Sequence, residues 1–278
     1  MTTEGGANGA GGAGGANGDE RDGGAALPGR HEMDEAVHII EDHADRLFLW
    51  DYERNRGQLV TLYNKAMGSQ WNSVTDLDWA TDVDPERLVA EQDSPMLAIT
   101  RVAGTLPGSP LSKWSEKEYS RLGIEFFKAS LSQFMHGEQG ALVCAAKIVT
   151  QVPDVDSKFY ASTQVIDEAR HVESYRRLLA KFGVAYPMTA PLQELIDQVL
   201  RDRRWDMTYL GMQVVIEGLA LAAFQQIRDH AQNPLAAAVN AYVMQDESRH
   251  VAFGRLALRD YYPTLTQKER DEREQFLL

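Results

Sequence analysis

Residues 167–171 read DEARH and residues 246–250 read DESRH, so the chain carries one short motif twice. In each copy a glutamate precedes a histidine by three positions, which places both side chains on one face of an α-helix, about 5–6 Å apart at Cβ. Carboxylate and imidazole together form a ligand pair that suits iron and other first-row metals. A single E-x-x-H pair has low specificity, because such pairs occur on many solvated helix faces.

Two further acids make the repeat specific. Glu138 precedes Glu168 by 30 residues, and Glu217 precedes Glu247 by 30 residues. Both lone glutamates interrupt strongly apolar helical stretches, where an unpaired carboxylate would be costly to bury. The alternative, that both acids reach solvent from a helix boundary, requires the same coincidence twice, at matched distances from matched motifs.

Apolar residues recur at spacings of three and four along most of the chain, which predicts helices rather than strands. Long helices are expected at about 115–152, 156–181, 204–231 and 233–261, and shorter ones at 34–50, 53–69, after Pro85 and at 191–201. Pro153 and Asn233-Pro234 lie near the midpoints of the two intervals of 30 residues. If each hairpin turns there, four carboxylates and two imidazoles meet at one height. The predicted fold class is all-α.

Composition excludes several classes of function. The formal charge is 28 − 41 = −13, which disfavours non-specific nucleic-acid binding because that requires basic residues. The single cysteine, Cys144, cannot form an internal disulfide or a thiolate metal site. Neither a membrane span nor a signal peptide is predicted, so a cytoplasmic location is expected. Residues 1–30 are rich in Gly, Ala and Asn and are predicted to be a disordered tail, leaving 31–278 as one domain.

One glutamate from each of two helices and Glu-x-x-His from two others resembles the ferritin-like di-iron carboxylate superfamily, specifically its branch of oxygenases and ribonucleotide-reductase small subunits. The resemblance covers about 115–262 and implies a ferritin-like four-helix bundle with additional N-terminal helices. It implies two iron ions, or manganese with iron, and dioxygen as co-substrate. By this resemblance one metal is held by Glu138, Glu168 and His171, and the other by Glu217, Glu247 and His250, with Glu168 and Glu247 bridging.

The flanking residues of each motif fit the same resemblance. Asp167 and Asp246 stand where the family accepts the outer N–H of the opposing ligand histidine, which fixes its tautomer. Arg170 and Arg249 are expected to pair with these aspartates. The alternative for the two arginines is ordinary ion pairing on an exposed helix surface.

Departures from known branches bear on the reaction. Tyr175, one turn after His171, stands where the reductase subunit carries its radical tyrosine, although core packing is the commoner role for such a residue. Leu221 replaces the pocket threonine of bacterial hydrocarbon monooxygenases, which disfavours a multicomponent hydroxylase. Val243 replaces an extra histidine ligand of the arylamine N-oxygenases, which disfavours an ordinary member of that group.

The predicted function is a di-iron oxidoreductase, such as a monooxygenase, that acts on a small and largely apolar organic substrate with an unidentified electron donor. Small residues near the ligands (Gly140, Gly218 and Gly254) are expected to leave room for it. The predicted pocket is lined by Phe134, Leu142, Leu221, Phe224, Val251 and Gly254. Alternatives are a ferroxidase, a radical-generating subunit and a non-catalytic helical scaffold. The resemblance also implies a homodimer.

Overall fold

The computed structural model describes residues 38–86, 95–183, 185–231 and 233–277. Within these ranges the chain is helical and contains no β-strand. The residues from Ile40 to Leu278 form one compact unit. The predicted tail at 1–30 and most of the helix expected after Pro85 lie outside the described residues.

The helices follow in the order α1 (Gly57–Gly68), α2 (Pro95–Gly104), α3 (Glu116–Gln151), α4 (Val155–Ala180), α5 (Ala190–Arg201), α6 (Trp205–Thr208), a π-helical segment (Tyr209–Ile216), α7 (Glu217–His230), α8 (Pro234–Tyr261), a 3-10 turn (Tyr262–Thr264) and α9 (Gln267–Phe276). The long helix α3 packs along α4, α7 packs along α8, and α1 lies against α4. The prediction of an all-α bundle with additional helices before it is confirmed for the described residues.

Local capping sets the ends of the bundle helices. At the start of α3, the Ser115 N–H donates to Glu118 Oε2 at 2.6 Å, as expected for a capping box. Asp154 begins α4 by accepting from the Ser157 N–H at 2.8 Å. Asn233 begins α8, because its side-chain oxygen accepts from the backbone N–H groups of Leu235 and Ala236, at 3.0 and 3.1 Å. These caps turn each hairpin where the sequence predicted it.

The third long helix differs from the prediction of a regular α-helix over 204–231. Between Tyr209 and Ile216 it is π-helical, and the Glu217 N–H donates to the Met212 carbonyl, five residues back. A π-helical hydrogen bond spans five residues instead of the four of an α-helix. The extra residue rotates the residues that follow it around the helix axis, so they lie on a different face of the helix. π-helical turns are rare and are found mostly at functional sites. Here the segment ends directly before Glu217.

The helix predicted at 34–50 is absent from its described part, 38–50, which is irregular. The Leu47 N–H donates to the Thr150 carbonyl on α3 at 2.7 Å, and an Asp42 carboxylate oxygen accepts from the backbone two residues on. Such bonds offer the backbone an alternative to helix.

One helix in the described part of the chain, Trp205–Asp229, is long and apolar enough to cross a membrane by composition, with a mean hydropathy of 1.5. Half of its most apolar window is buried inside the protein, and the buried glutamate at 217 lies within it. Core helices of bundles meet the same criterion, so this helix is explained by its packing.

Candidate metal centre

All six predicted ligands meet in the middle of the bundle. α3 supplies Glu138, α4 supplies Glu168 and His171, α7 supplies Glu217, and α8 supplies Glu247 and His250. Each is at most 5% exposed, so the alternative in which the lone glutamates reach solvent is wrong. Candidate ligand atoms lie within 4.8 Å of one another in two overlapping groups, which are Glu138, Glu168, His171 and Glu247, and Glu168, Glu217 and His250.

The first group converges on one ring nitrogen. His171 Nδ1 lies 3.1 Å from Glu138 Oε2, 3.2 Å from Glu168 Oε2 and 3.1 Å from Glu247 Oε1. Three carboxylates from three helices therefore face one imidazole. We call this group position 1.

The second group shares Glu168 with the first and is called position 2. His250 Nδ1 lies 3.1 Å from Glu168 Oε1 and 3.4 Å from Glu247 Oε1. Because Glu168 directs one oxygen to each histidine, it is the side chain placed to bridge two metals. Glu247 lies within reach of both histidines, and the two imidazole centres are 5.9 Å apart.

Buried ligand atoms that accept no hydrogen bond indicate that the cluster can hold metal ions. Glu217 Oε2 and both carboxylate oxygens of Glu247 are buried and accept no hydrogen bond. Leaving such groups unpaired inside a protein is costly. Carboxylate oxygens with one imidazole at each position form a donor set suited to iron or manganese. The residues therefore fit a pair of divalent metals.

The outer nitrogen of each histidine is held by an aspartate from the opposite helix. His171 Nε2 lies 3.1 Å from Asp246 Oδ2, and His250 Nε2 lies 3.1 Å from Asp167 Oδ2. Each aspartate thereby places the proton on Nε2 and leaves Nδ1 free for a metal. This crossed pairing ties α4 to α8 at the height of the cluster.

Two arginines balance the charge of these aspartates. Arg170 hydrogen-bonds Asp167 and lies 3.3 Å from Asp246. Arg249 hydrogen-bonds Asp246 and lies 3.7 Å from Asp167. The two arginine side chains are 11% and 2% exposed, so these are buried pairs and not the surface ion pairs of the alternative interpretation.

Two residues of the centre were missed by the sequence reasoning. The Trp71 Nε1–H donates to Asp246 Oδ2 at 2.7 Å, and its ring lies near Arg170. The Gln164 amide, buried one turn before Glu168, donates to two carboxylates of the cluster. The spacing of four from Glu168 was the available signal for Gln164, whereas no local pattern connects Trp71 with a residue 175 positions away.

The electrostatics of the metal-free cluster follow from burial and crowding. Burial, with the charge of Glu247, raises the pKa values of Glu138 and Glu217 well above the ordinary value. Burial by itself would raise the pKa of Glu168, but the charge of His250 and hydrogen bonds from both histidines hold it low. Burial opposes charge on the histidines too, yet the surrounding carboxylates raise both histidine pKa values well above 6.5. In the metal-free protein, protons on these glutamates and histidines thus balance the negative charge that bound metal ions would otherwise balance.

Tyr175 is fully buried, and its hydroxyl donates to Asn240 Oδ1 at 3.0 Å. Burial, with the nearby charges of Glu138 and Glu247, raises its pKa well above the ordinary value. Its ring packs against Phe134 and Phe224, at centroid distances of 5.9 and 6.0 Å. The radical role of Tyr175 stays a prediction.

A cavity of about 240 Å³ opens on the cluster. Its walls come from α3, the π-helical segment, α7 and the start of α5, and α8 contributes only a ligand. The lining residues are Gln133, Phe134, Gly137, Glu138, Ala141, Thr189, Leu192, Met212, Ile216, Glu217, Ala220, Phe224 and Glu247.

The predicted pocket is therefore only partly right. Phe134 and Phe224 line the cavity, but Leu142, Leu221, Val251 and Gly254 do not. The prediction followed the face one turn beyond each ligand, whereas the cavity lies towards α5.

The glycines also differ from the expectation of free space. A Cβ at Gly254 would lie 2.7 Å from Gln213 Cβ, and one at Gly140 would lie 2.6 Å from Ile196 Cδ1. Both positions are close helix contacts. Gly218 has open space around its Cα but does not line the cavity. Gly137 has open space and also lines the cavity.

The family model described as P-aminobenzoate N-oxygenase AurF matches residues 53–277. Among solved structures, an R2-like ligand-binding oxidase from Sulfolobus acidocaldarius is 17% identical, with a TM-score of 0.49, 78% of this chain covered and 86% of that chain. An R2-like ligand-binding oxidase with a reconstituted Mn/Fe cofactor is 18% identical, with a TM-score of 0.49 and coverages of 75% and 69%. No curated protein sequence matches the chain.

Proposed function

The chain belongs to the P-aminobenzoate N-oxygenase AurF family and is a di-iron oxidoreductase that activates dioxygen; we propose that its substrate is a small, uncharged and largely apolar molecule. The resemblance to the ferritin-like di-iron superfamily is thereby confirmed. The observation that supports this substrate class is the cavity, whose apolar walls end at Glu138, Glu217 and Glu247.

The chain belongs to the N-oxygenase family although Val243 stands where the resemblance places an extra histidine ligand of the arylamine N-oxygenases. That Val243 disfavours an ordinary member of the group stays a prediction. Val243 is fully buried in an apolar cluster with Trp71 and Phe127. The carboxylates and histidines of the cluster form both metal positions without a further ligand from this position.

The protein supplies the surroundings in which the chemistry takes place. When bound, the metal pair supplies two electrons for the reduction of dioxygen. The six ligands fix the two metal positions, and Asp167 and Asp246 hold the histidine rings. Phe134 and Phe224 meet edge to face at 4.9 Å and form an apolar part of the cavity wall beside the ligands. A substrate in the cavity thus lies next to the metal ligands and against apolar side chains.

The charge of the cavity wall selects the substrate. The lining residues include no lysine, arginine or histidine, and their only charged groups are cluster glutamates. The side chain of Gln133 is already used, because its Oε1 accepts from the Thr189 N–H at 2.8 Å and its Nε2 donates to the Pro187 carbonyl at 3.0 Å. No cationic side chain of the wall is available to pair with a substrate carboxylate, and burying an unpaired carboxylate is costly. We therefore propose an uncharged aromatic amine or a similar apolar molecule, rather than p-aminobenzoate itself.

The test compares aniline with p-aminobenzoate. Metal-free protein is loaded with Fe(II) without oxygen and exposed to dioxygen with each compound, and oxygen uptake and products are measured. Oxygen uptake coupled to oxidation of aniline supports the proposal, and preferential oxidation of p-aminobenzoate overturns the substrate class. Ala220→Phe, which fills the cavity, should abolish turnover with metal content unchanged. Leu219→Phe is the matched control, because this neighbouring side chain is 69% exposed.

A further inference from the structure

Gln164 is the polar side chain that joins two ligands of the cluster. It is fully buried on α4, one turn before Glu168. Its Nε2 donates to Glu168 Oε1 at 3.0 Å and to Glu217 Oε1 at 2.8 Å. The amide thus restrains two ligands of position 2.

The two halves of the bundle differ at this point. Gln164 precedes Glu168 by four residues, and Val243 precedes Glu247 by four residues, so they are equivalent in the repeat. Val243 lies in the apolar core and offers no hydrogen bond. Position 1 has no equivalent amide, and its lone glutamate, Glu138, faces an imidazole nitrogen directly at 3.1 Å.

The amide changes what position 2 can offer a metal. At position 1 three carboxylates and one imidazole offer ligand atoms within 4.8 Å of one another, whereas at position 2 two carboxylates and one imidazole do. Glu247 Oε1 lies 3.1 Å from His171 Nδ1 and 3.4 Å from His250 Nδ1, so it is closer to position 1. At position 2, Oε1 of both Glu168 and Glu217 already accepts a hydrogen bond from Gln164. Glu217 Oε2 is left without a partner, so the amide selects which oxygen stays free. A neutral amide adds no negative charge to attract a second cation.

We propose that Gln164 is a positioning residue that supports the weaker of two unequal metal positions. Position 1 fills first, and position 2 fills second with lower affinity. Gln164 holds Glu217 so that its free oxygen and His250 Nδ1 face the second metal. This inference rests on the dimetal centre of the proposed function and does not depend on the substrate.

The test is a calorimetric titration of the metal-free, full-length protein with Mn(II) in the absence of any substrate. Wild-type protein should bind two equivalents in two resolved steps. Gln164→Met keeps the length of the side chain and removes the donor, so the second affinity should fall about 10- to 100-fold, with the first unchanged within about twofold. Gln164→Glu adds a carboxylate to position 2, so the second affinity should rise and the two steps should approach each other.

A variant at the equivalent position separates positioning from a general packing effect. Val243→Ala alters the core at the same height in the other half and should leave both affinities unchanged. A single wild-type step with two equal sites would overturn the proposal, as would an equal loss at both positions in Gln164→Met or a weaker second site in Gln164→Glu. Failure of wild-type protein to bind any Mn(II) or Fe(II) would instead refute the dimetal centre itself.

Discussion

Gly137 and Gly140 lie on α3 on either side of Glu138, and a methyl group added to each should have opposite effects on stability. A Cβ at Gly137 meets no atom within 4 Å, because this position faces the cavity. A Cβ at Gly140 would lie 2.6 Å from Ile196 Cδ1 and 3.0 Å from Ile196 Cγ1. The two substitutions are chemically identical and share one helix, so each serves as the control for the other.

The magnitudes follow from helix propensity and packing. Glycine in a helix interior is less stable than alanine by about 0.5–1 kcal/mol, so Gly137→Ala should raise the free energy of unfolding by that amount. A gain of about 1 kcal/mol raises Tm by about 2–4 °C in a domain of this size. Gly140→Ala has the same backbone gain, but it must displace Ile196, and overpacking of a core costs about 1–3 kcal/mol. Its net effect should be destabilising.

The assay is thermal and urea unfolding of both variants and the wild-type protein, together with metal content and oxygen uptake. Gly137→Ala also narrows the cavity beside Glu138, so turnover of bulky substrates should fall while two metals remain bound. If Gly137→Ala destabilised the protein as much as Gly140→Ala, residue 137 would be tightly packed. The cavity, and with it the proposed substrate site, would then be refuted.

Three further substitutions or conditions test the electrostatics of the centre. Asp246→Asn should weaken metal binding about 10- to 100-fold, because the carboxylate orients His171; an unchanged Mn(II) affinity would contradict this. Raising the pH from about 6 to 9 should lower the Tm of the metal-free protein but not that of the metal-loaded protein. In the metal-free folded state the histidines keep their protons, because their pKa values are raised well above 6.5, whereas the unfolded state releases these protons. A Tm of the metal-free protein that does not change with pH would refute this prediction. Arg249→Met should destabilise by about 3–5 kcal/mol in urea unfolding, because it removes one of the two buried cations that balance Asp167 and Asp246, whereas the exposed Arg259→Met should change stability by less than about 0.5 kcal/mol.

The parts of the molecule that the sequence predicts are those governed by local rules. The capping box at Ser115 and the N-cap at Asn233 act within four residues, so they place helix ends correctly. The position of Glu138 level with Glu168 follows from a proline turn near the midpoint of two straight helices. This alignment follows from the constant rise per residue of a helix and from the equal number of residues on each side of the turn, and both can be inferred from the sequence.

The parts that sequence reasoning missed depend on contacts between distant residues. The Trp71–Asp246 hydrogen bond spans 175 positions. The irregular structure of 38–50 depends on contacts such as that with Thr150 on α3, which compete with an intrinsic helical pattern. The side of the bundle on which the cavity lies was missed for a similar reason. The cavity lies between α3, α7 and the start of α5, and the sequence does not show where α5 packs.

The repeated motif accounts for the features that the two halves of the metal centre share. Positions at which the two copies carry different residues account for the differences between the halves. Tyr175 and Gly254 are equivalent, each four residues after a ligand histidine. Tyr175 fills space behind Phe134 and Phe224, which line the cavity. Gly254 instead allows the π-helical segment to approach, since any Cβ there would meet Gln213.

Because that segment ends at the residue before Glu217, the close approach at Gly254 helps to set the direction of this ligand. Gln164 then fixes its carboxylate by a hydrogen bond. The first lone glutamate, on a regular α-helix, has neither constraint. The one-sided cavity and the different restraint of the two lone glutamates thus have the same origin, which is the replacement of a few equivalent residues in an otherwise duplicated hairpin.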